Sequence, residues 1–294
     1  MTENKALPLQ LLGSSFFAGI FGAYLYNRYL SRVQMEANST QRRRSGNNSN
    51  DFDYRSNSNI DPIAALFNQN EISIPVLNHL TRVYATLGGT TLAAIIGSLV
   101  QMQTRFSTSL ASLLSLGFAF SLQLGKAHLW KLLAFGFFNG MSLGGLIQLA
   151  LHLNARIVPL ALTAATTVFG SFAAAATLSS RRSLLYLYGI LGSALSVFTI
   201  STFAQLFFRS KSLFEFNLYG PLLMFMGYVA ADSQLIIERA DQGDKDYVTH
   251  AWLLFTDLSG IFGRILVILL RQAEENERKK KKKRGNRDED SFYD

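Results

Sequence analysis

The chain has 294 residues, contains no cysteine, is 49% hydrophobic and carries a net charge of +8 at neutral pH. The absence of cysteine excludes disulfide bonds and thiolate metal sites. The apolar residues are concentrated in runs of about 20, the length that spans a bilayer as an α-helix, which favours an integral membrane protein over two soluble domains.

The first 74 residues differ from the rest of the chain. Residues 7–30 are apolar, and we interpret them as an additional N-terminal membrane helix. The alternative is a cleaved targeting segment, although the first residues are weakly charged and include the acid Glu3. Residues 31–74 form a polar linker, rich in Ser, Asn, Arg and Asp, that is predicted to be disordered. We expect residues 61–78 to form a short amphipathic helix that Pro75 breaks.

Seven further apolar runs follow within a predicted transmembrane domain of residues 75–272. They comprise residues 83–102, 110–124, 129–153, 157–178, 184–208, 213–237 and 251–270. Short connections join them, and no soluble domain is inserted. Many runs contain small residues, as in the segment from Gly140 to Gly145, which predicts close helix packing; a glycine-lined ion path is the alternative. We therefore predict an all-α integral membrane protein.

The charged tail of residues 273–294 contains the basic cluster from Arg278 to Arg284. Such a cluster just beyond a membrane segment is typical of a cytosolic tail near anionic lipid. No nucleic-acid partner is expected, because the rest of the chain is membrane-like. Seven full crossings would place this tail opposite the side that the positive-inside rule makes cytosolic. Either residues 251–270 dip into the membrane and return, or the whole orientation is inverted.

Two aspartates lie where aspartate is rare, Asp232 within residues 218–237 and Asp257 within residues 251–270. A carboxylate at membrane depth costs roughly 2.5–3.5 kcal/mol on insertion scales, which makes it a functional-site hypothesis. In an antiparallel hairpin of these two helices, each aspartate lies about 9 Å from the linker end of its helix. We therefore predict that the two carboxylates lie at one depth and form a shared site.

Such a pair suggests a pH-sensing gate for a cation. Two nearby carboxylates in low dielectric cannot both ionise cheaply, so they titrate as a coupled unit, and a shared proton holds the helices together. Without that proton, repulsion favours opening or admits a cation such as calcium, which takes about 6–8 oxygen ligands. Ser233, Thr256, backbone groups and water would complete a transient calcium site at Asp232 and Asp257. We expect calcium to be the transported ion and expect no cofactor.

Other polar residues have structural interpretations. Each aspartate could instead satisfy a helix contact, with Arg264 as a candidate partner. Arg264 follows Asp257 by seven residues and lies on nearly the same helix face, but about 10 Å along it, so a direct pair within the helix is not expected. His250 is interpreted as an interfacial residue. A solvated turn is predicted for the acidic residues Glu238, Asp241, Asp244 and Asp246.

The segment from Ala231 to Tyr247 resembles a motif of the Bax inhibitor-1 family (transmembrane BAX inhibitor motif proteins). That family has a Phe-Asp-Thr-Gln-Leu-Ile-Ile-Glu-like helix, an acidic Gly-Asp-x-Asp-Tyr turn, and a following helix with a second aspartate. Asp232 and Asp257 match the two family aspartates. The segments from His79 to Ala85 and from Arg181 to Gly189 look like the starts of the family's first and fifth helices, and a lysine-rich tail is also typical.

Three features depart from the family pattern. Residues 7–30 and their polar linker are extra, and Ala231 replaces the usual phenylalanine before the first aspartate. Arg264 lies one residue later than the family's arginine would, so its role is not carried over directly.

The resemblance implies a seven-helix bundle in which the last, C-terminal helix is central and is surrounded by six. It also implies an endoplasmic reticulum protein that leaks calcium in a pH-dependent way and suppresses cell death. The implied partners are the lipid bilayer, calcium, protons and cell-death regulatory membrane proteins.

Three other functions remain open. An intramembrane aspartyl protease needs Gly-x-Gly-Asp around one aspartate, which the context Phe255-Thr256-Asp257-Leu258 does not provide. A non-conducting membrane adaptor and a proton-coupled cation antiporter are also compatible with the residues. Because no nucleophile–histidine arrangement or nucleotide loop is found in the sequence, enzymatic activity is not expected.

Overall fold

The computed structural model describes residues 74–104, 106–178, 187–208 and 210–290, with the backbone alone for residues 178, 206 and 281–290. The predictions for the apolar segment 7–30 and for the polar linker up to residue 73 lie outside the described residues. The same holds for the segment from Arg181 to Tyr186 and for residues 291–294.

Seven α-helices make up the described part of the chain, and none of its residues forms a strand. They are α1 (Ile74–Thr104), α2 (Thr108–Leu124), α3 (Leu129–Leu153), α4 (Ile157–Leu178), α5 (Leu187–Phe207), α6 (Lys211–Asp241) and α7 (Tyr247–Asp290). Each coincides with one predicted apolar run, and six are long and apolar enough to cross a membrane. The prediction of an all-α membrane protein is confirmed, as expected where lipid offers backbone groups no alternative hydrogen bonds.

Pro75 lies at the beginning of the described part of α1. Pro75 is the second residue of a helix that continues without interruption for 31 residues. Residues 75–78 are therefore continuous with the first membrane helix, and the predicted helix on the other side of Pro75 lies outside the described residues.

The last helix lies at the centre of the bundle. α7 packs mainly against α6, α4, α1 and α3, while α2 packs on α3 and α5 packs on α6. The predicted central position is confirmed, although four helices, and not six, are its main neighbours. The residues of α7 from Ala251 to Phe255 are all buried, as the core of such a bundle requires.

Glycines bring α1 and α3 into close contact. A Cβ atom added at Gly140 would lie 1.9 Å from the backbone oxygen of Ala94, and one at Gly97 would lie 2.0 Å from that of Phe137. Membrane helices use such residues because their backbones can then approach closely and gain dispersion contacts. The predicted role of small residues in tight packing is confirmed at this interface.

The helix that is short for a membrane crossing is α2. Its 17 residues extend about 25 Å as a helix, less than the roughly 30 Å of a hydrocarbon core. By contrast, α7 runs through residues 251–270 without a break and continues to Asp290. A segment that dips into the membrane and returns would need a break there, so the structure does not follow that alternative.

Candidate functional site

A tight turn between α6 and α7 sets up the hairpin that carries the two aspartates. Gly243 follows the end of α6 with φ at 89°, a left-handed conformation that glycine adopts without steric cost. Asp246 then precedes α7 and accepts a hydrogen bond of 3.1 Å from the backbone N–H of Thr249 through Oδ1. An aspartate in this position satisfies one of the unpaired N–H groups at a helix start. Asp241, Asp244 and Asp246 are exposed, as predicted for a solvated acidic turn, whereas Glu238, which was included in that prediction, is half-buried on α6.

Aromatic packing sets the rotation of α7 in the bundle. Phe135 of α3 makes edge-to-face contacts with Trp252 and Phe255, with ring centroids 6.3 and 5.7 Å apart. These two side chains anchor one face of α7 on α3. Asp257 projects from a different face and meets α6.

Asp232 and Asp257 form a buried carboxyl pair. Both side chains are fully shielded from solvent, and the two carboxyl groups lie close enough to interact electrostatically across the α6–α7 interface. No N–H or O–H group of the described residues donates a hydrogen bond to either oxygen of Asp257. The structure thus brings together the two residues that the sequence placed at one depth.

Two tyrosines adjoin the carboxyl pair and were not predicted. Tyr188 of α5 donates a hydrogen bond from its hydroxyl to Oδ1 of Asp232. Tyr228 lies one turn before Asp232 on α6, contacts the Tyr188 ring at a centroid distance of 6.3 Å, and is buried. Its hydroxyl has no hydrogen-bond partner within the described part of the chain. The spacing of Tyr228 and Asp232 could have revealed one of them, because residues four apart on a helix are neighbours.

The predicted supporting residues are only partly assembled around the pair. Ser233 is buried beside Tyr84 of α1. Thr256 donates its hydroxyl to the backbone oxygen of Trp252 at 2.9 Å, within its own helix. In the described ranges, no group of three or more acidic or histidine side chains is arranged to hold a metal ion. A cation at the pair would therefore take most of its oxygen ligands from backbone and water.

Arg264 is buried but does not neutralise either aspartate. It is 5% exposed, hydrogen-bonds through Nη1 to the backbone oxygen of Gly260 at 3.3 Å, and lies over the Phe225 ring at 4.9 Å. None of the ion pairs among the described residues includes it. The expectation that Arg264 and Asp257 do not pair directly is confirmed, and the structure does not follow the alternative in which Arg264 is the partner of the aspartates.

A histidine pair lies at the turn end of the same helix. His250, for which a position at the membrane interface was predicted, is completely buried within the protein near the turn end of α7. Its Nδ1 lies 2.9 Å from Nε2 of His79 on α1, and its Nε2 lies 3.7 Å from Oδ2 of Asp244 in the turn. Sequence reasoning missed this contact because the two histidines are 171 residues apart.

Comparison with known proteins identifies the family. The family model described as inhibitor of apoptosis-promoting Bax1 matches residues 76–274. The Bax inhibitor 1 proteins of Sus scrofa, Oryza sativa subsp. japonica and Homo sapiens are 36%, 38% and 35% identical to this chain. The alignments cover 70%, 71% and 70% of this chain and 90%, 86% and 90% of those relatives. The chain belongs to the Bax inhibitor-1 family.

The match to the Bax inhibitor-1 family covers the whole candidate site. It includes α1 through α6 and α7 as far as residue 274, and therefore both aspartates, both histidines of the buried pair and Arg264. The polar linker and most of the charged tail lie outside the matched residues. This member of the Bax inhibitor-1 family is accordingly an integral membrane protein whose buried ionisable residues lie in the part shared with its relatives.

Proposed function

We propose that this Bax inhibitor-1 family protein is a pH-sensitive calcium leak channel of an intracellular membrane, gated by Asp232 and Asp257. The observation that carries the proposal is the fully buried carboxyl pair on the central helix hairpin. Charged groups at membrane depth are costly, so they persist mainly where they serve transport or proton transfer. The proposed role is conduction without catalysis and without a cofactor.

The chemistry of the gate follows from one proton. A proton shared between the carboxyl groups of Asp232 and Asp257 would hold α6 and α7 together at this depth. When the proton leaves, two negative charges about 4 Å apart repel by roughly 4 kcal/mol at an effective dielectric of 20. A divalent cation offsets that repulsion, and water-filled space between the helices lets it pass. Loss of the proton therefore opens the path, and acidification closes it.

The biological role is proposed from the relatives. The proteins it resembles are named Bax inhibitor 1, which supports a function in suppressing cell death through regulatory membrane partners. A calcium leak that limits the stored ion would act in this direction. A non-conducting adaptor would suppress cell death without calcium flux, so a flux measurement separates the two.

Calcium flux through purified protein in sealed liposomes tests the gate. Wild type is expected to release calcium faster as the pH is raised, and Asp257→Asn is expected to lose this pH response because asparagine cannot exchange a proton. Asp241→Asn is the matched control, since Asp241 is exposed at the turn end of α6. A pH profile in Asp257→Asn that equals that of wild type would overturn the proposal. Saturable exchange of calcium for protons would indicate an antiporter instead.

We also propose that the protein resides in the endoplasmic reticulum with its basic tail in the cytosol. The short α2 supports six crossings, which place the tail on the same side as the polar linker and its cluster Arg42-Arg43-Arg44. Protease added to intact microsomes is then expected to remove an epitope placed after Asp294. Full protection of that epitope until detergent is added would contradict this orientation.

A further inference from the structure

The central helix carries a row of polar residues at seven-residue intervals. His250, Asp257, Arg264 and Arg271 follow one another at this spacing along α7. Seven residues advance a helix by about 10 Å and rotate it by only about 20° from two full turns. The four side chains therefore form layers along one side of α7. Each has a different partner: His79, Asp232, the Phe225 ring and Glu215, in that order.

Arg264 occupies the layer directly beyond the carboxyl pair, counted from the acidic turn. Phe225 precedes Asp232 by seven residues on α6, and Arg264 follows Asp257 by seven on α7. Because the two helices are antiparallel, the ring and the guanidinium lie one equal step deeper than the aspartates. A cation that passes from the pair toward the far end of the hairpin must therefore pass this layer.

The positive charge of Arg264 is not compensated locally. Its partners are a backbone oxygen and an aromatic ring, its Nε has no hydrogen-bond partner, and it forms no ion pair with the described residues. Keeping such a charge out of water is costly, and a neutral residue of similar size would avoid the cost. The charge itself is thus the property that requires an explanation.

We propose that Arg264 is the electrostatic barrier of the calcium path, holding divalent cations at the carboxyl pair and limiting their passage beyond it. This inference rests on the proposed function of the pair. At roughly 10 Å and an effective dielectric of about 20, repulsion by this charge lowers the rate of passage on the order of 10-fold for a monovalent cation and on the order of 100-fold for a divalent cation. The Phe225 ring keeps the guanidinium in this layer by contact with its face.

Arg271 provides a matched control on the same helix. It also lies over a phenylalanine of α6, with 4.7 Å to the Phe214 ring. Its side chain is 25% exposed, however, and its Nη2 is 4.0 Å from Oε1 of Glu215. Because this charge is compensated and partly solvated, it does not act as a barrier.

The test compares calcium and potassium flux in liposomes for wild type, Arg264→Gln, Arg264→Lys and Arg271→Gln. Arg264→Gln is expected to raise calcium flux at least about 10-fold and potassium flux by less, because the repulsion energy of a divalent ion is twice that of a monovalent ion. Arg264→Lys keeps an ionisable cationic group but loses the planar contact with the Phe225 ring, so its calcium flux is expected to lie between those of wild type and Arg264→Gln. Arg271→Gln is expected to remain within about twofold of wild type.

Several outcomes would overturn this role for Arg264. One is that wild type shows a pH-dependent calcium leak and Arg264→Gln shows the same calcium flux. In that case the proposed function stands, but Arg264 is not a barrier. Another is an Arg264→Gln variant that passes both ions and chloride without selectivity, which indicates lost structure. An equal increase in Arg271→Gln would also overturn it. If no variant and no wild-type protein conducts calcium at any pH, the proposed function fails together with the barrier.

Discussion

The imidazole rings of His79 and His250 are joined by a hydrogen bond of 2.9 Å between Nε2 and Nδ1, which links the first helix of the bundle to the central one. The rings meet edge to face with their centroids 5.1 Å apart, and both side chains are buried. The charged groups around the pair are Asp244 and Asp246 in the turn, opposed by Arg82 on α1 and Lys245 in the turn. The pair is thus a polar contact between elements that are otherwise held by apolar packing.

Replacing the histidines by leucine, singly and together, tests this link. Each single substitution leaves the other buried imidazole without this hydrogen bond, which we expect to lower the free energy of unfolding by about 1–3 kcal/mol. The double variant should lose less than the sum of the two, because no orphaned group remains. Thermal unfolding of the detergent-purified protein near neutral pH gives the coupling energy.

The coupling between the histidines should depend on pH. An N–H···N bond needs one unprotonated nitrogen as acceptor, so acid that protonates both rings removes the bond and leaves two like charges together. We therefore expect the same set of variants to show a coupling energy near zero, or of opposite sign, once the pH is low enough to protonate both rings. Strictly additive effects at neutral pH would show that the contact does not stabilise the fold.

Two tyrosines beside the carboxyl pair should differ in their importance. Tyr188→Phe removes the hydroxyl that donates to Asp232, and we expect it to lower stability by about 1.5–3 kcal/mol because that acceptor is a buried carboxyl group. Tyr228→Phe removes a buried hydroxyl that lacks a partner within the described residues and should be close to neutral. The melting temperatures of the two variants are the measurement. Equal losses would mean that the Tyr188 hydrogen bond contributes nothing specific.

The close contact of α1 and α3 makes Gly140 sensitive to substitution. A methyl group there would lie 1.9 Å from the backbone oxygen of Ala94, so the helices must separate, and we expect a loss of about 1–3 kcal/mol in Gly140→Ala. Gly170 on α4 is the control, because an added Cβ there meets nothing within 4 Å. Gly170→Ala should be neutral or slightly stabilising, since alanine favours a helix by up to about 1 kcal/mol over glycine. Equal changes in melting temperature for Gly140→Ala and Gly170→Ala would contradict this interpretation.

The helices and the depth of the two aspartates could be predicted from the sequence alone. An apolar run of about 20 residues in lipid has to satisfy its own backbone hydrogen bonds, and that requirement is local to the run. The depth of Asp232 and Asp257 follows from counting residues to the turn, because helical rise is constant.

The contacts that make these residues a site required the folded bundle. Which face of α7 meets α6 depends on the aromatic contacts of Trp252 and Phe255 with Phe135, more than 100 residues away in the chain. The same holds for the donation from Tyr188 to Asp232, the contact of His79 with His250 and the absence of a carboxylate beside Arg264 among the described residues. Helix formation depends on neighbours along the chain, whereas helix rotation and partner choice depend on side chains from several helices packing at once.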